Sequence, residues 1–371
     1  MSSPYSQISP TADPGTAGGR WSAPPRFCII GGMTSDALAA LESMTEQQAG
    51  RWRDVLDRVA GMLPDGTVCV LVEGGGHAGA VAARLADHLT AAGRRCVRPR
   101  DGDPEITREP GAVAIGAGTG ERARPPGEWD VVIRLRTRHA PEADTEQVAD
   151  IVIDLNDTRW PVIRRVVPRL AGHDDWYVAE SRAFFAPRAA TWDARFGDDM
   201  PAYAAAVGEA AVPPGATVLD AGCGTGRALP ALRAAVGPTG RVFGVDVTPE
   251  MLAVARTTGR AHRATLLVAD ARRLPFTGTR FDAVFAAGLV QHLPDPAAGL
   301  AELARVTRPG GELIVFHPSG RAALAARHGR TPRPDEPLAE TRLVRLLAST
   351  GWHLKRYDDA DHRFFALAVR R

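Results

Sequence analysis

Beyond about residue 50, apolar runs of strand length alternate with stretches whose apolar positions recur at helical spacing. Between positions 51 and 63, Trp52, Val55, Leu56, Val59 and Leu63 share one helical face, which predicts an amphipathic helix. TVCVLVE (67–73) then predicts a buried strand, GGGHAG (74–79) a glycine-rich turn, and AVAARLADHLTAAG (80–93) a helix that ends at Gly93. Further strands are predicted at 112–117, 129–135 and 149–155, so the first half reads as a small α/β unit. A proline- and arginine-bearing stretch at 156–175 marks a boundary, placed at about 171.

The second half alternates more cleanly. Strands are predicted at 216–220, 241–246, 265–269, 281–286 and 312–316, with helices at 226–235, 249–258 and 296–307 between most of them. A helix at 338–349 precedes two strand-like runs, 352–358 and 363–370, which are expected to pair as a hairpin on the sheet edge. Residues 1–25 lack periodicity and read as a flexible tail, because such a segment buries too little apolar surface to offset its ordering entropy.

Composition narrows this picture. A length of 371 residues suits two domains, and 44% hydrophobic with 24% charged residues excludes fibrous and wholly disordered classes. Every apolar run is interrupted well before the ~18 residues of a membrane span, so a membrane-embedded protein is not expected. The first 25 residues hold no apolar core of a secretion signal, and the four cysteines include no C-x-x-C pair, which fits a reducing cytoplasm and no metal site. A net charge of +2 weighs against a dedicated nucleic-acid binder. Lys355 is the only lysine, which removes any phosphate-binding or Schiff-base lysine elsewhere.

The chemistry concentrates in VLDAGCGTG (218–226), where a hydrophobic strand runs into Asp220 and then Gly222, Gly224 and Gly226. Glycines there let the backbone turn sharply and approach a ligand, and the following helix presents free N–H groups. The spacing is G-x-G-x-G, whereas the dinucleotide fingerprint is G-x-G-x-x-G. Asp246 and Asp270 close the next two strands, so three carboxylates are expected at neighbouring strand ends, in a crevice suited to an adenosine.

On these residues, 171–371 resembles a class I S-adenosylmethionine-dependent methyltransferase. The matching pieces are VLDAGCGTG (218–226), VFGVDVTPEMLAVAR (242–256), ADARRLPF (269–276), FDAVFAAGLVQHLPDP (281–296) and RVTRPGGELIVF (305–316). The resemblance implies a Rossmann-like, mostly parallel seven-stranded sheet with an antiparallel edge hairpin, and S-adenosyl-L-methionine as cofactor. It also implies that Asp220 and the glycines hold the amino-acid part of the cofactor and Asp246 the ribose hydroxyls. Val247 would pack on the adenine, Asp270 and the Ala271 amide would read its edge, and Ala287 would lie beside the methionine moiety. In similar proteins a helical lid precedes the glycine loop; Tyr177 and Trp192, in the aromatic-rich segment 174–203, are its candidates for cofactor contact. His292 and His317, just past two strand ends, are candidate general bases, with His292 preferred.

The segment 67–171, by its strand, loop and helix, resembles a P-loop nucleoside kinase of the uridine kinase type. Its loop runs Gly74, Gly79, Ala80, Val81, with alanine at the lysine position and valine at the magnesium-binding hydroxyl. That implies a degenerate domain over 26–170 without phosphotransfer, left with dimerisation, acceptor capture or covering the partner site as its roles. The expected function is methyl transfer to a small-molecule acceptor. The rivals are an RNA or nucleotide methyltransferase, favoured by the arginines at 94–100 and 159–169, and a regulator that binds the cofactor without turnover.

Overall fold

The computed structural model of the protein describes residues 44–98, 108–118, 129–137, 149–172, 175–327 and 330–371. The segment 1–25 lies outside the described residues.

The chain builds two sheets. The first helix, α1 (Glu46–Met62), starts five residues before the apolar run predicted, because Thr45 and Gln48 form a reciprocal capping box. It buries Trp52, Val55, Leu56 and Val59, the face read from the sequence. Strand β1 (Val68–Glu73) is wholly buried and leads through a 3₁₀ turn at Gly75–His77 into α2 (Ala78–Ala91). Short β2 (Arg95–Val97), then β3 (Ala112–Gly118), β4 (Val131–Arg136), β5 (Ile151–Asp154) and β6 (Val162–Val166) complete a six-stranded sheet of order β2-β3-β1-β4-β5-β6. All neighbours run parallel except β5 and β6. The stretch expected to be only a connection therefore contributes an antiparallel edge strand. Its sequence, VIRRV, hides the strand because two arginines occupy the half-exposed and exposed positions.

A helical segment follows: α3 (Asp175–Phe185), a 3₁₀ turn over Ala186–Thr191, α4 (Trp192–Phe196) and α5 (Met200–Glu209). The second sheet then alternates β7 (Thr217–Ala221), α6 (Leu229–Val236), β8 (Arg241–Asp246), α7 (Pro249–Thr257), β9 (Ala264–Val268), β10 (Phe281–Ala287), α8 (Pro296–Val306) and β11 (Thr307–His317). After α9 (Arg321–Arg327) and α10 (Glu340–Ser349), the strands β12 (Trp352–Ala360) and β13 (Arg363–Arg370) pair as the predicted hairpin. The seven-stranded order is β12-β13-β11-β10-β7-β8-β9, parallel apart from β13 against β11 and β12. This is the Rossmann-like arrangement expected.

Buried residues of both sheets share one apolar cluster, to which Trp176 and Tyr177 of α3 also belong. Burial of this kind supplies about 25 cal/mol per Å² of apolar surface, and here it holds α3 against both sheets. Charged groups reinforce the seam. Glu180 of α3 is 1% exposed and accepts hydrogen bonds from Arg51, from Arg58 at 2.7 Å and from the Ile163 amide at 2.6 Å.

Candidate active site

Strand β7 lies between β10 and β8, and the chain leaves it for opposite sides of the sheet, so its carboxyl end faces the switch-point crevice. Asp220 sits there at 1% exposure, and its Oδ2 has no hydrogen-bond partner among the described residues. Burial, then the nearby Asp246 charge, pushes its pKa up to about 8. The turn that follows places Gly222, Gly224 and Gly226 at φ of 70°, 51° and 79°. Any other residue would be strained in this left-handed region, and a Cβ on Gly226 would also stand 3.0 Å from both Ala255 Cβ and Leu229 Cδ1.

Asp246 closes β8. Its Oδ2 accepts from the Gly224 amide at 2.9 Å and its Oδ1 from the Thr248 amide at 2.8 Å, which fastens the glycine turn to the next strand end. Burial raises the Asp246 pKa against the opposing effect of these amides. Val247 is half-buried, and its carbonyl accepts from Arg182 of α3 at 2.7 Å. Ala271 is buried just beyond β9. Ala287, expected just past a strand, is instead the last residue of β10.

Asp270 departs from the expectation of an open carboxylate. Arg272 clamps it, with Nη2 at 2.8 Å and Nε at 3.0 Å from Oδ2, while the Arg272 amide reaches Oδ1 at 2.9 Å. The same guanidinium lies 4.4 Å from the centre of the Tyr177 ring. Tyr177 thus reaches the crevice, as expected, but through an arginine that sequence reasoning passed over. Nothing in ADARR marked which of its arginines would turn inward. Burial pushes the Tyr177 hydroxyl up to about 12, so it stays protonated.

Trp192 heads α4 and packs edge-on against Phe185 at 5.5 Å. The next residue, Asp193, ties α4 to the glycine turn, accepting from Thr225 Oγ1 at 3.0 Å, Arg227 at 3.0 Å and Arg260 at 2.6 Å. The helical segment is therefore anchored beside the crevice by charge pairs that act across more than 30 residues of sequence.

His292 ends a 3₁₀ turn, Val290–His292, after β10, and His317 ends β11. The two strands are neighbours, so both candidates do converge on the same rim. Their environments differ. Arg164 of β6 points its Nη2 at His292 Nδ1, 3.3 Å away. Because an arginine only donates, that ring nitrogen is the acceptor and the neutral ring carries its proton on Nε2. His292 is exposed to solvent, and packing around the ring together with the Arg164 charge lowers its pKa. A ring whose lone pair is already engaged by a cation is a poor proton acceptor, which counts against the preference for His292 as base. His317 Nδ1 lies 3.0 Å from the Ser319 carbonyl and 3.1 Å from its amide, and burial lowers its pKa.

The family described as "Methyltransferase domain" matches residues 219–315, from the end of β7 into β11. This stretch is a methyltransferase domain. It lies within a class I, S-adenosylmethionine-dependent fold, whose cofactor is S-adenosylmethionine. The chain is 33% identical over 166 residues to the ubiquinone/menaquinone biosynthesis C-methyltransferase UbiE of Bordetella parapertussis, covering 44% of this chain and 60% of that one. It is 41% identical over 106 residues to an uncharacterized 37.1 kDa protein in transposon TN4556 of Streptomyces fradiae, covering 28% of this chain and 31% of that protein. These matches span less than two thirds of either relative. A crystal structure of a SAM-dependent methyltransferase from Aquifex aeolicus aligns with 25% identity and a TM-score of 0.40 over 47% of this chain and 90% of that one.

The methyltransferase domain fits that cofactor on its own atoms. The unpartnered oxygen of Asp220 is a buried acceptor that lacks a donor, and an ammonium group is such a donor. No group of three or more His, Cys, Asp or Glu suited to a metal ion occurs among the described residues. Among them, too, no helix is long and apolar enough to cross a membrane.

Proposed function

We propose that the protein transfers a methyl group from S-adenosylmethionine to a small-molecule acceptor. The observation that carries this reading is the orphaned Asp220 oxygen at the switch point, beside a turn of three left-handed glycines. Asp220 with Gly222, Gly224 and Gly226 would hold the amino-acid end. Asp246 has one described hydrogen bond on each oxygen, and a carboxylate has about four acceptor sites, so it retains capacity for two ribose hydroxyls. Val247 and the Ala271 amide would flank the adenine. The clamped Asp270 would act mainly by orienting Arg272 and Tyr177 over that end. Ala287 would border the methionine moiety, and Trp192 would close the turn from the lid.

When bound, the cofactor supplies a methyl group on a positively charged sulfur. The chain's own contribution is orientation and exclusion of water, which alone can lower a barrier substantially. Where the acceptor must lose a proton, His317 is the better placed base, since no arginine hydrogen-bonds its ring among the described residues; its Nδ1 meets both the amide and the carbonyl of Ser319, and the tautomer with Nδ1–H toward the carbonyl is the one that leaves Nε2 as the acceptor.

The first sheet is a degenerate P-loop-like unit in this reading, spanning about 26–170, with the methyltransferase unit after about 171. Supporting it, β1 lies between β3 and β4 and runs into the turn at Gly74, whose φ of 130° tucks it against Leu135. Trp52, His77, Ala80, Val81 and Arg84 leave only a water-sized recess above that turn. Phosphoryl transfer lacks both its lysine and its magnesium hydroxyl there.

Calorimetry with S-adenosylhomocysteine, NAD and ATP tests the central claim. Binding of S-adenosylhomocysteine alone is expected, weakened by roughly 1–3 kcal/mol in Asp246→Ala. Binding of NAD without S-adenosylhomocysteine would refute it.

A further inference from the structure

The rim of the crevice is not made by the methyltransferase domain alone. Arg164 projects from β6 of the first sheet, is half-buried, and meets His292 across the seam at 3.3 Å. Its guanidinium lies 4.0 Å from the centre of the Phe184 ring, and that of Arg188 lies 4.2 Å from the same centre. Phe185 meets the His292 ring edge-on at 5.7 Å.

The charges around this point do not balance. Arg136 of β4 and Asp154 of β5 form an ion pair at 2.7 Å and so largely cancel. No carboxylate lies within hydrogen-bonding distance of Arg164 among the described residues; its polar contact is the His292 ring. Arg188 of the 3₁₀ turn also lies close, and among the described residues Tyr177 of α3 and His317 of β11, both neutral, are further titratable neighbours. A half-buried cation without a counter-ion is costly, and an anionic ligand removes that cost.

The donors also converge. With Nδ1 of His292 accepting from Arg164, its Nε2–H is a second donor, without a partner among the described residues and on a ring that water reaches. We propose that Arg164 and His292 form a composite oxyanion site, built by the two sheets together, that binds a carboxylate or phosphate group of the methyl acceptor. Phe184 and Phe185 flank this site and favour a planar framework next to the anion. In this arrangement His292 positions the acceptor as a donor, and the first sheet is part of the acceptor pocket. The inference rests on the methyl-transfer reading above for its ligand's role.

The test uses the full chain saturated with S-adenosylhomocysteine, with benzoate, phenyl phosphate and neutral benzamide as probes in calorimetry. At least one anion is expected to bind ten-fold or more tightly than benzamide, and the better of the two names the oxyanion. Arg164→Gln should weaken that anion at least ten-fold and leave S-adenosylhomocysteine affinity unchanged, while Arg164→Lys restores part of the loss. A second readout is the His292 ring resonance followed against pH, assigned with His292→Gln. Its midpoint should rise on adding the anion and rise in Arg164→Gln, because each removes uncompensated positive charge beside the ring. Equal affinity for anions and benzamide in the unaltered protein would overturn the proposal whatever the variants do. Absence of S-adenosylhomocysteine binding in the unaltered protein would instead overturn the underlying methyl-transfer reading.

Discussion

Replacing Glu180 with alanine tests how α1 and the first sheet hold α3. Glu180 is 1% exposed and Arg51 is 5% exposed, so their pair is sealed from water, whereas Arg58 is 29% exposed. Among the described residues, removal of the carboxylate leaves the buried Arg51 charge with the Pro161 carbonyl and a distant Asp54 oxygen at 4.0 Å. Breaking a buried pair in this way costs ~3–5 kcal/mol. Arg58 turns to solvent at little cost. Glu180→Gln keeps an acceptor for Ile163 but loses the charge, and should cost less, roughly 1.5–3 kcal/mol. Urea unfolding monitored by tryptophan fluorescence measures both, since Trp52 sits in α1 and Trp160 donates to the Ala183 carbonyl of α3 at 2.8 Å. A loss below about 1 kcal/mol for the alanine variant would refute the argument, because it would mean that water reaches Arg51 freely. The alanine variant should also bind S-adenosylhomocysteine more weakly, since α3 carries Arg182 and Tyr177 to the cofactor side.

Asp220 has a folded-state pKa raised to about 8, above the ordinary carboxylate range, so the stability it allows is complete at low pH and is lost as pH rises toward and through 8. Ligand-free Asp220→Asn should therefore be more stable than the unaltered protein at pH 9, with the difference vanishing near pH 4, and should bind S-adenosylhomocysteine poorly; denaturant midpoints against pH and calorimetry check this. Binding of S-adenosylhomocysteine to the unaltered protein near pH 7 should release a proton from Asp220, visible as a calorimetric enthalpy that changes with buffer. With a hydroxyl acceptor, His317→Ala should lower turnover by about 10²–10⁴-fold and remove an acid limb that lies below the usual histidine value, whereas His292→Ala should act mainly on the acceptor KM. Magnesium-dependent phosphorylation of uridine or cytidine should stay at background, and activity abolished by disrupting the loop 74–79 would contradict that.

The parts legible in the sequence are those whose cause is local. Apolar periodicity placed α1 and the alternation of the second sheet, and the glycines at 222, 224 and 226 announced a turn because only glycine enters that backbone region without strain. Strand ends followed by Asp220 and Asp246 put both carboxylates at one crevice, since right-handed crossovers carry parallel strand ends to the same side. The tail at 1–25 and Arg100 of the cluster 94–100 lie outside the described residues. What only the tertiary structure decided are the contacts between residues far apart in the chain. Arg164 with His292, Arg51 with Glu180 and Asp193 with Arg260 are 128, 129 and 67 residues apart, and no spacing rule encodes such pairs. Strand β6 escaped notice for the same reason: VIRRV gains its partner β5 and its buried face from packing against α3, while its arginines alone read as a polar connection. Charge state belongs with these. Aspartate and histidine identities were plain at positions 220, 270 and 292, yet burial left Asp220 without a donor, Arg272 closed over Asp270, and Arg164 took the lone pair of His292. Chain sequence sets which groups can ionise, and the desolvation and neighbours that set how they ionise exist only once the two sheets have packed.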